Sequence, residues 1–210
     1  MIARTLAILT LATAAAAELP PPPPLAFEAE TILIFAEGDS LRVDATYILY
    51  YSGAKAAEVP LPYPYPEDER LGGATLLLVE SRPVGDEAWQ PVRAVTRPGA
   101  YHSTLVVPFA ADQRREIHVV YRQATPERYA RYIVTTTRSW FRPLQHARFE
   151  IRLPEGAVPV RFSHPFATRE IAGETVYVHE ECDFYPDRDI FVTWEDAGGP
   201  ARSQDPPPGY

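Results

Sequence analysis

Leu41-Arg42-Val43-Asp44-Ala45-Thr46-Tyr47-Ile48-Leu49-Tyr50-Tyr51 is the stretch that decides the fold class. Leu41, Val43, Ala45, Tyr47, Leu49 and Tyr51 alternate with Arg42, Asp44, Thr46, Ile48 and Tyr50. In an extended chain successive side chains point to opposite faces, so a half-buried strand reads this way and an amphipathic helix does not. The same period recurs at Ile117, Val119 and Tyr121 and at Phe149, Ile151 and Leu153. Residues 27–35, 56–61, 74–81, 91–95, 102–107, 129–136, 175–179 and 190–194 are further strand candidates. Between them lie turn signals: Glu37-Gly38-Asp39, Val84-Gly85-Asp86, Pro98-Gly99, Pro154-Glu155-Gly156 and Ala172-Gly173-Glu174. Ten to twelve short strands without helical periodicity predict an antiparallel β-sandwich, immunoglobulin-like or jelly-roll-like, with a closed barrel as the structural alternative.

Working outward, Val59-Pro60-Leu61-Pro62-Tyr63-Pro64-Tyr65-Pro66 lacks every second backbone donor. It belongs on a sheet edge, where the missing N–H groups cost nothing and the prolines block edge-to-edge pairing. The N-terminus carries Arg4, then the apolar run Thr5 to Ala14, then Ala15-Ala16-Ala17. A basic head, a short apolar run and small residues before a cleavage point predict a signal peptide over residues 1–17 and a periplasmic or secreted location. The apolar run is too short for a bilayer core, which takes about 20 residues. A proline-rich spacer (18–26) comes next, then the sandwich (27–195, with a boundary near 124–128 if it is two sub-sandwiches). A Gly/Pro/Ser-rich tail (196–210) has too little apolar content to fold.

The net charge of −8 argues against nucleic acid as a partner. Cys182, the single cysteine, excludes an intrachain disulfide. Lying between acidic residues, it is expected to be a buried, slow-reacting thiol. Gly38-Asp39-Ser40-Leu41 after Ile32-Leu33-Ile34-Phe35 resembles the nucleophile block of the Gly-Asp-Ser-Leu lipases and esterases, which would make Ser40 the nucleophile. That family needs an oxyanion-hole Asn and an Asp three residues before the catalytic His. This chain has no Asn, and Gly99, Arg115, Pro143, Arg161 and Val176 precede its five His at that spacing. Ser40 therefore reads as part of a hairpin turn, and no catalytic residue is assigned. His179-Glu180-Glu181-Cys182-Asp183 offers metal-binding types, but strand alternation splits them between two faces, so no metal and no cofactor are expected.

Arg114 to Arg169 holds eleven Arg against four Glu, a balance of +7, while each flank carries −8 once the signal is removed. Either the central strands pair with the acidic flanks, or part of the Arg set forms a patch for an anionic envelope component. Arg128, Arg131, Arg138 and Arg142, with Trp140 in the same connection, are the candidate binding residues. Trp194, on one face with Ile190 and Val192, belongs in the core.

The stretch Tyr132–Trp140, the segment ending in Arg152-Leu153-Pro154, Asp183–Trp194 and Val59-Pro60-Leu61-Pro62 together resemble a family of exported bacterial β-sandwich proteins with no assigned activity. The resemblance implies the fold and the compartment. The expected function is a non-catalytic binding or structural module of the envelope, a monomer that makes protein–protein contacts and has no membrane span after signal cleavage. The alternative is an envelope or carbohydrate hydrolase.

Overall fold

The computed structural model describes residues 24–97, 101–140 and 142–196. The expected signal peptide, most of the spacer and the tail beyond Asp196 lie outside them. The described residues are all-β, built as fourteen strands and one short 3₁₀ helix. Strands β1 (Leu25–Glu37) and β2 (Ser40–Tyr51) form the first hairpin, in which Glu37 faces Ser40 across Gly38-Asp39. Gly38 supplies the positive φ (+63°) that a two-residue hairpin loop needs at its first position. Then come β3 (Ala57–Pro64), β4 (Ala74–Pro83), β5 (Gln90–Pro91), β6 (Arg93–Thr96), β7 (His102–Phe109), β8 (Gln113–Ala124) and β9 (Tyr129–Tyr132). The 3₁₀ helix (Thr135–Trp140) leads to β10 (Leu144–Arg152), β11 (Ala157–Phe162), β12 (Ala167–Ile171), β13 (Glu174–Phe184) and β14 (Ile190–Asp196).

Eight strands make one sheet in the order β12-β13-β10-β1-β2-β8-β4-β5, and two three-stranded sheets, β11-β14-β9 and β3-β7-β6, accompany it. All pairs are antiparallel except β1 with β10, which run parallel from Ala29–His146 to Phe35–Arg152. Period-two patterning carries no strand direction, so the sequence holds no sign of this departure from an all-antiparallel sandwich. One buried cluster includes Ile32, Ile34, Val43, Ala45, Val107, Ile117, Tyr132, Phe149, Ile151, Val192 and Trp194, and so draws on both sides of residues 124–128.

β3 is an edge strand, as its prolines require. The strand expected over 129–136 stops at Tyr132, because Asp189, the residue before β14, captures Val134 and Thr135. Its Oδ1 accepts from the backbone N of Val134 (3.2 Å) and Thr135 (3.1 Å) and from Thr135 Oγ1 (2.8 Å). β11 and β12 add to the expected set of strands. β11 carries Pro159, and β12 is almost wholly exposed and shows no apolar alternation.

Cys182 is exposed rather than buried. It lies opposite His146 on the outer face of β13, beside Glu180, and β12 pairs with β13 only as far as Val178. Among the described residues its end of β13 is therefore an uncovered edge. In the β12–β13 hairpin Ala172 and Gly173 both have positive φ (+53° and +82°). A Cβ in that region costs about 1 kcal/mol, and Asn tolerates it better. Ala172→Asn should raise the urea midpoint, by about 0.5–1 kcal/mol in stability.

Candidate functional site

Four of the five candidate binding residues go to separate partners, and the fifth, Arg142, stands at the surface. Arg131 points Nε (3.0 Å) and a terminal nitrogen (2.7 Å) at Asp189 Oδ2. Burial acts to raise the Asp189 carboxyl, but the hydrogen bonds from Arg131 and Thr135 outweigh it and hold the group below its ordinary value. Arg128 pairs with Asp196. Arg138 lies over the ring of Tyr185 at 5.5 Å. Trp140 is half-buried, edge-on to Phe27 with ring centres 6.1 Å apart. Arg142 is exposed.

Elsewhere the basic centre meets the acidic flanks across strands. Arg114 holds Glu28 through two bonds of 2.9 and 3.1 Å. Arg122 reaches Glu37 (2.8 Å), Arg148 reaches Glu180 (2.7 Å) and Arg152 reaches Glu174 (2.8 Å). Solvent and salt screen such exposed pairs, so together they organise the surface more than they stabilise it.

The interior holds a polar cluster. In β1, Leu25 and Phe27 are buried, then a bulge between Phe27 and Ala29 shifts the phase, and Glu30, Ile32, Ile34 and Ala36 turn inward. Glu30 is only 3% exposed, and its Oε1 has no hydrogen-bond partner. Burial pushes its carboxyl up to about 8, so the group is protonated at neutral pH. Beside it Tyr47 OH meets Tyr63 OH (2.9 Å) and Tyr132 OH (2.5 Å). Burial drives all three phenols well above their ordinary value. Tyr65 and Tyr121 close the cluster edge to face, with ring centres 5.2 Å apart. The arrangement keeps a protonated carboxyl and three mutually bonded phenols inside the fold. Alternation read forward from Phe27 would place Glu30 outside. The available clue was the hairpin, since Val43 and Ala45 must face the same core as Ile34 and Ile32.

Ser40 Oγ donates to the carbonyl of Glu37 (3.2 Å), within the hairpin turn. On the outer face His118 sits between Glu80 (2.9 Å, Nδ1) and Asp44 (2.8 Å, Nε2), with the Trp89 ring 5.5 Å away. Through these two contacts His118 ties β2, β8 and β4 together. His164 and His179 pack with ring centres 5.1 Å apart, and burial, then His179, hold His164 below its ordinary value. Glu181 stands 3.5 Å from His179 Nε2 without hydrogen-bond geometry. Among the described residues no three His, Cys, Asp or Glu side chains converge so as to hold a metal ion. A broad open depression of about 530 Å³ is lined by Arg148, Arg169, Glu170, Ile171 and Glu180.

The sheet edges differ in how they are closed. β3 carries Pro60, Pro62 and Pro64, and β11 carries Pro159. β4 has no proline between Ala74 and Leu78. Its outer neighbour β5 pairs only with Glu80 and Ser81, and Val92 N takes the carbonyl of Val79. Among the described residues, Ala74–Leu78 has no strand on its outer side. A bulge between Leu76 and Leu78 leaves Leu77 54% and Leu78 40% exposed. Exposed leucines on an unpaired edge are what soluble proteins ordinarily avoid.

No family model matches the chain, and no curated protein matches it. Solved structures match in fold. A candidate nutrient binding protein from Legionella pneumophila is 12% identical with a TM-score of 0.59, over 82% of this chain and 67% of that one. An M1 zinc metallopeptidase from Deinococcus radiodurans is 12% identical with a TM-score of 0.49, and 81% of this chain corresponds to only 42% of its length. Among the described residues no helix is long and apolar enough to cross a membrane. At these identities the likeness is one of architecture, and the chain is an all-β, sandwich-like protein.

Proposed function

We propose that this chain is an exported, non-catalytic module of the cell envelope, periplasmic or secreted, that works by protein–protein contact. The observation that carries the reading is the unpaired β4 edge, where Leu77 and Leu78 stand exposed next to free backbone donors and acceptors. An edge of this kind gains both hydrogen bonds and apolar burial when another chain lies along it. The apolar run and small residues before Glu18 support export. The layered sheets fit a sandwich of the immunoglobulin-like or jelly-roll-like kind, with the parallel β1–β10 pair as an addition.

The test is site-specific photo-crosslinking in the producing bacterium, with a benzophenone side chain at position 77 and, as control, at position 160 on the β11 edge. One adduct of discrete mass is expected from position 77, carried by protein whose mature N-terminus is Glu18. No adduct from position 77, or the same ladder of products from both positions, would count against the module.

A further inference from the structure

We propose that the outer face of the β3-β7-β6 sheet binds an extended segment of a partner protein in which two acidic residues flank an apolar one. The site is separate from the β4 edge and stands without it. A groove of about 380 Å³ crosses this face, lined by Arg93, Val95 and Arg97 on one side and His102, Thr104 and Val106 on the other. Strand pairing sets these residues in rows: Arg93 opposite Val106, Val95 opposite Thr104 and, one step past Thr96 and Ser103, Arg97 beside His102. The alternate residues of β7, Ser103 and Leu105, are buried, so the six lining side chains share the outward face. Arg93 and Arg97 are four residues apart, about 13 Å at about 3.3 Å per residue. Val95 lies between them, 48% exposed.

The guanidiniums at the two ends of the groove are largely unpaired. Arg97 has no carboxylate within 4.0 Å among the described residues, and Arg93 has only Glu58, at 3.7 Å with both side chains at least 65% exposed. On the main sheet, by contrast, Arg122, Arg148 and Arg152 each hold a carboxylate at 2.7–2.8 Å. The side chains of His102 and Thr104 make no hydrogen bond among the described residues. Among those residues β6 is the outer strand of its sheet and carries no proline, so the backbone groups that turn away from β7 can take a further strand. In such a strand every second side chain comes onto the groove face, and positions i, i+2 and i+4 meet Arg93, Val95 and Arg97. Carboxylates at i and i+4 match the guanidiniums, which bind them through paired N–H groups, and an apolar residue at i+2 covers Val95. A single phosphate reaches one end of the groove only. The opposite border is closed to pairing, since Pro60, Pro62 and Pro64 continue the rows beyond β7.

The experiment measures fluorescence anisotropy of three labelled peptides against the full chain. One has the core Thr-Glu-Thr-Val-Thr-Glu-Thr, the second has Lys in place of both Glu, and the third has Pro in place of the two Thr that flank Val. The Glu peptide should bind at least about tenfold more tightly than either of the others and weaken as salt rises, since such charges are screened within about 8 Å at physiological salt. The combined Arg93→Gln, Arg97→Gln variant should lose the preference for Glu over Lys while keeping its circular dichroism. Arg169→Gln, on the exposed β12, should bind as the unaltered chain does. Equal binding of the Glu and Lys peptides overturns the proposal, as does unchanged binding by the double variant. Loss of binding in Leu77→Lys would put the peptide on the β4 edge, and a dimer in sedimentation that the double variant dissolves would put a second copy in the groove. Either result overturns the proposal, and so does retention on phosphatidylglycerol vesicles without peptide binding, which would assign the face to a membrane surface.

Discussion

Replacing Glu30 with glutamine is expected to make the protein more stable at pH 8 while changing it little at pH 5. Glu30 is buried in the fold with Tyr47 and Tyr132 close by, and its carboxyl titrates near 8 in the folded chain. In the unfolded chain the same group titrates near 4.3. Between those values the folded state holds a proton that the unfolded state has released. Stability contributed by this group is therefore complete below about pH 4.5 and is lost as pH rises toward 8. At about 1.4 kcal/mol per pH unit, less where the group is half titrated near pH 8, the loss between pH 5 and pH 8 is about 3–4 kcal/mol. Glutamine has the same shape and no proton to lose, so the variant should escape this decline. Urea unfolding of both proteins at pH 5 and pH 8 measures it. The gap should widen by about 3–4 kcal/mol across the interval, and curves that stay parallel would mean that Glu30 is hydrated or ionised in the fold.

Asp189→Ala should be the most damaging single substitution outside the apolar core. The side chain joins three segments, receiving two bonds from Arg131 on β9 and three from Val134 and Thr135 at the start of the 3₁₀ helix. Removing it leaves two backbone donors and a half-buried guanidinium without their acceptor. The expected cost is about 2–4 kcal/mol, toward the low end because Arg131 keeps access to water. The 3₁₀ helix should loosen first, and with it the contact of Trp140 on Phe27, so tryptophan emission should shift to the red before global unfolding. Asp189→Asn, which can still accept from the backbone, should cost about half as much. Equal losses in the two variants would show that the ion pair with Arg131, rather than the capping of Val134 and Thr135, is what the fold needs.

Much of the fold is legible along the chain because a half-buried strand writes itself in alternation. β2, β8 and β10 show that pattern, the prolines of β3 betray an edge, and Gly38 marks a two-residue turn. The hidden features depend on partners far away in sequence. The capture of Val134 and Thr135 by Asp189 converts an expected strand end into a 3₁₀ helix, and no local property of 129–136 announces it. The bulge after Phe27 reverses which side chains of β1 face inward, so Glu30 lies in the core. The arginine-rich centre reads in sequence as either a patch or one half of cross-strand pairs, and Arg114–Glu28 and Arg148–Glu180 are such pairs. The open edge of β4 is hidden for a different reason. A strand's own sequence does not say whether a neighbour lies beyond it, and β5 covers only Glu80 and Ser81.

Amide hydrogen exchange across β4 tests the contact-module reading most directly. It would be measured in the isolated chain and in the complex purified through the position-77 adduct. The amides of Ala74–Leu78 that do not bond to β8 should exchange rapidly in the isolated chain and at least about tenfold more slowly in the complex. Slow exchange already in the isolated chain, or rapid exchange in both, would contradict the assignment of this edge as the contact surface.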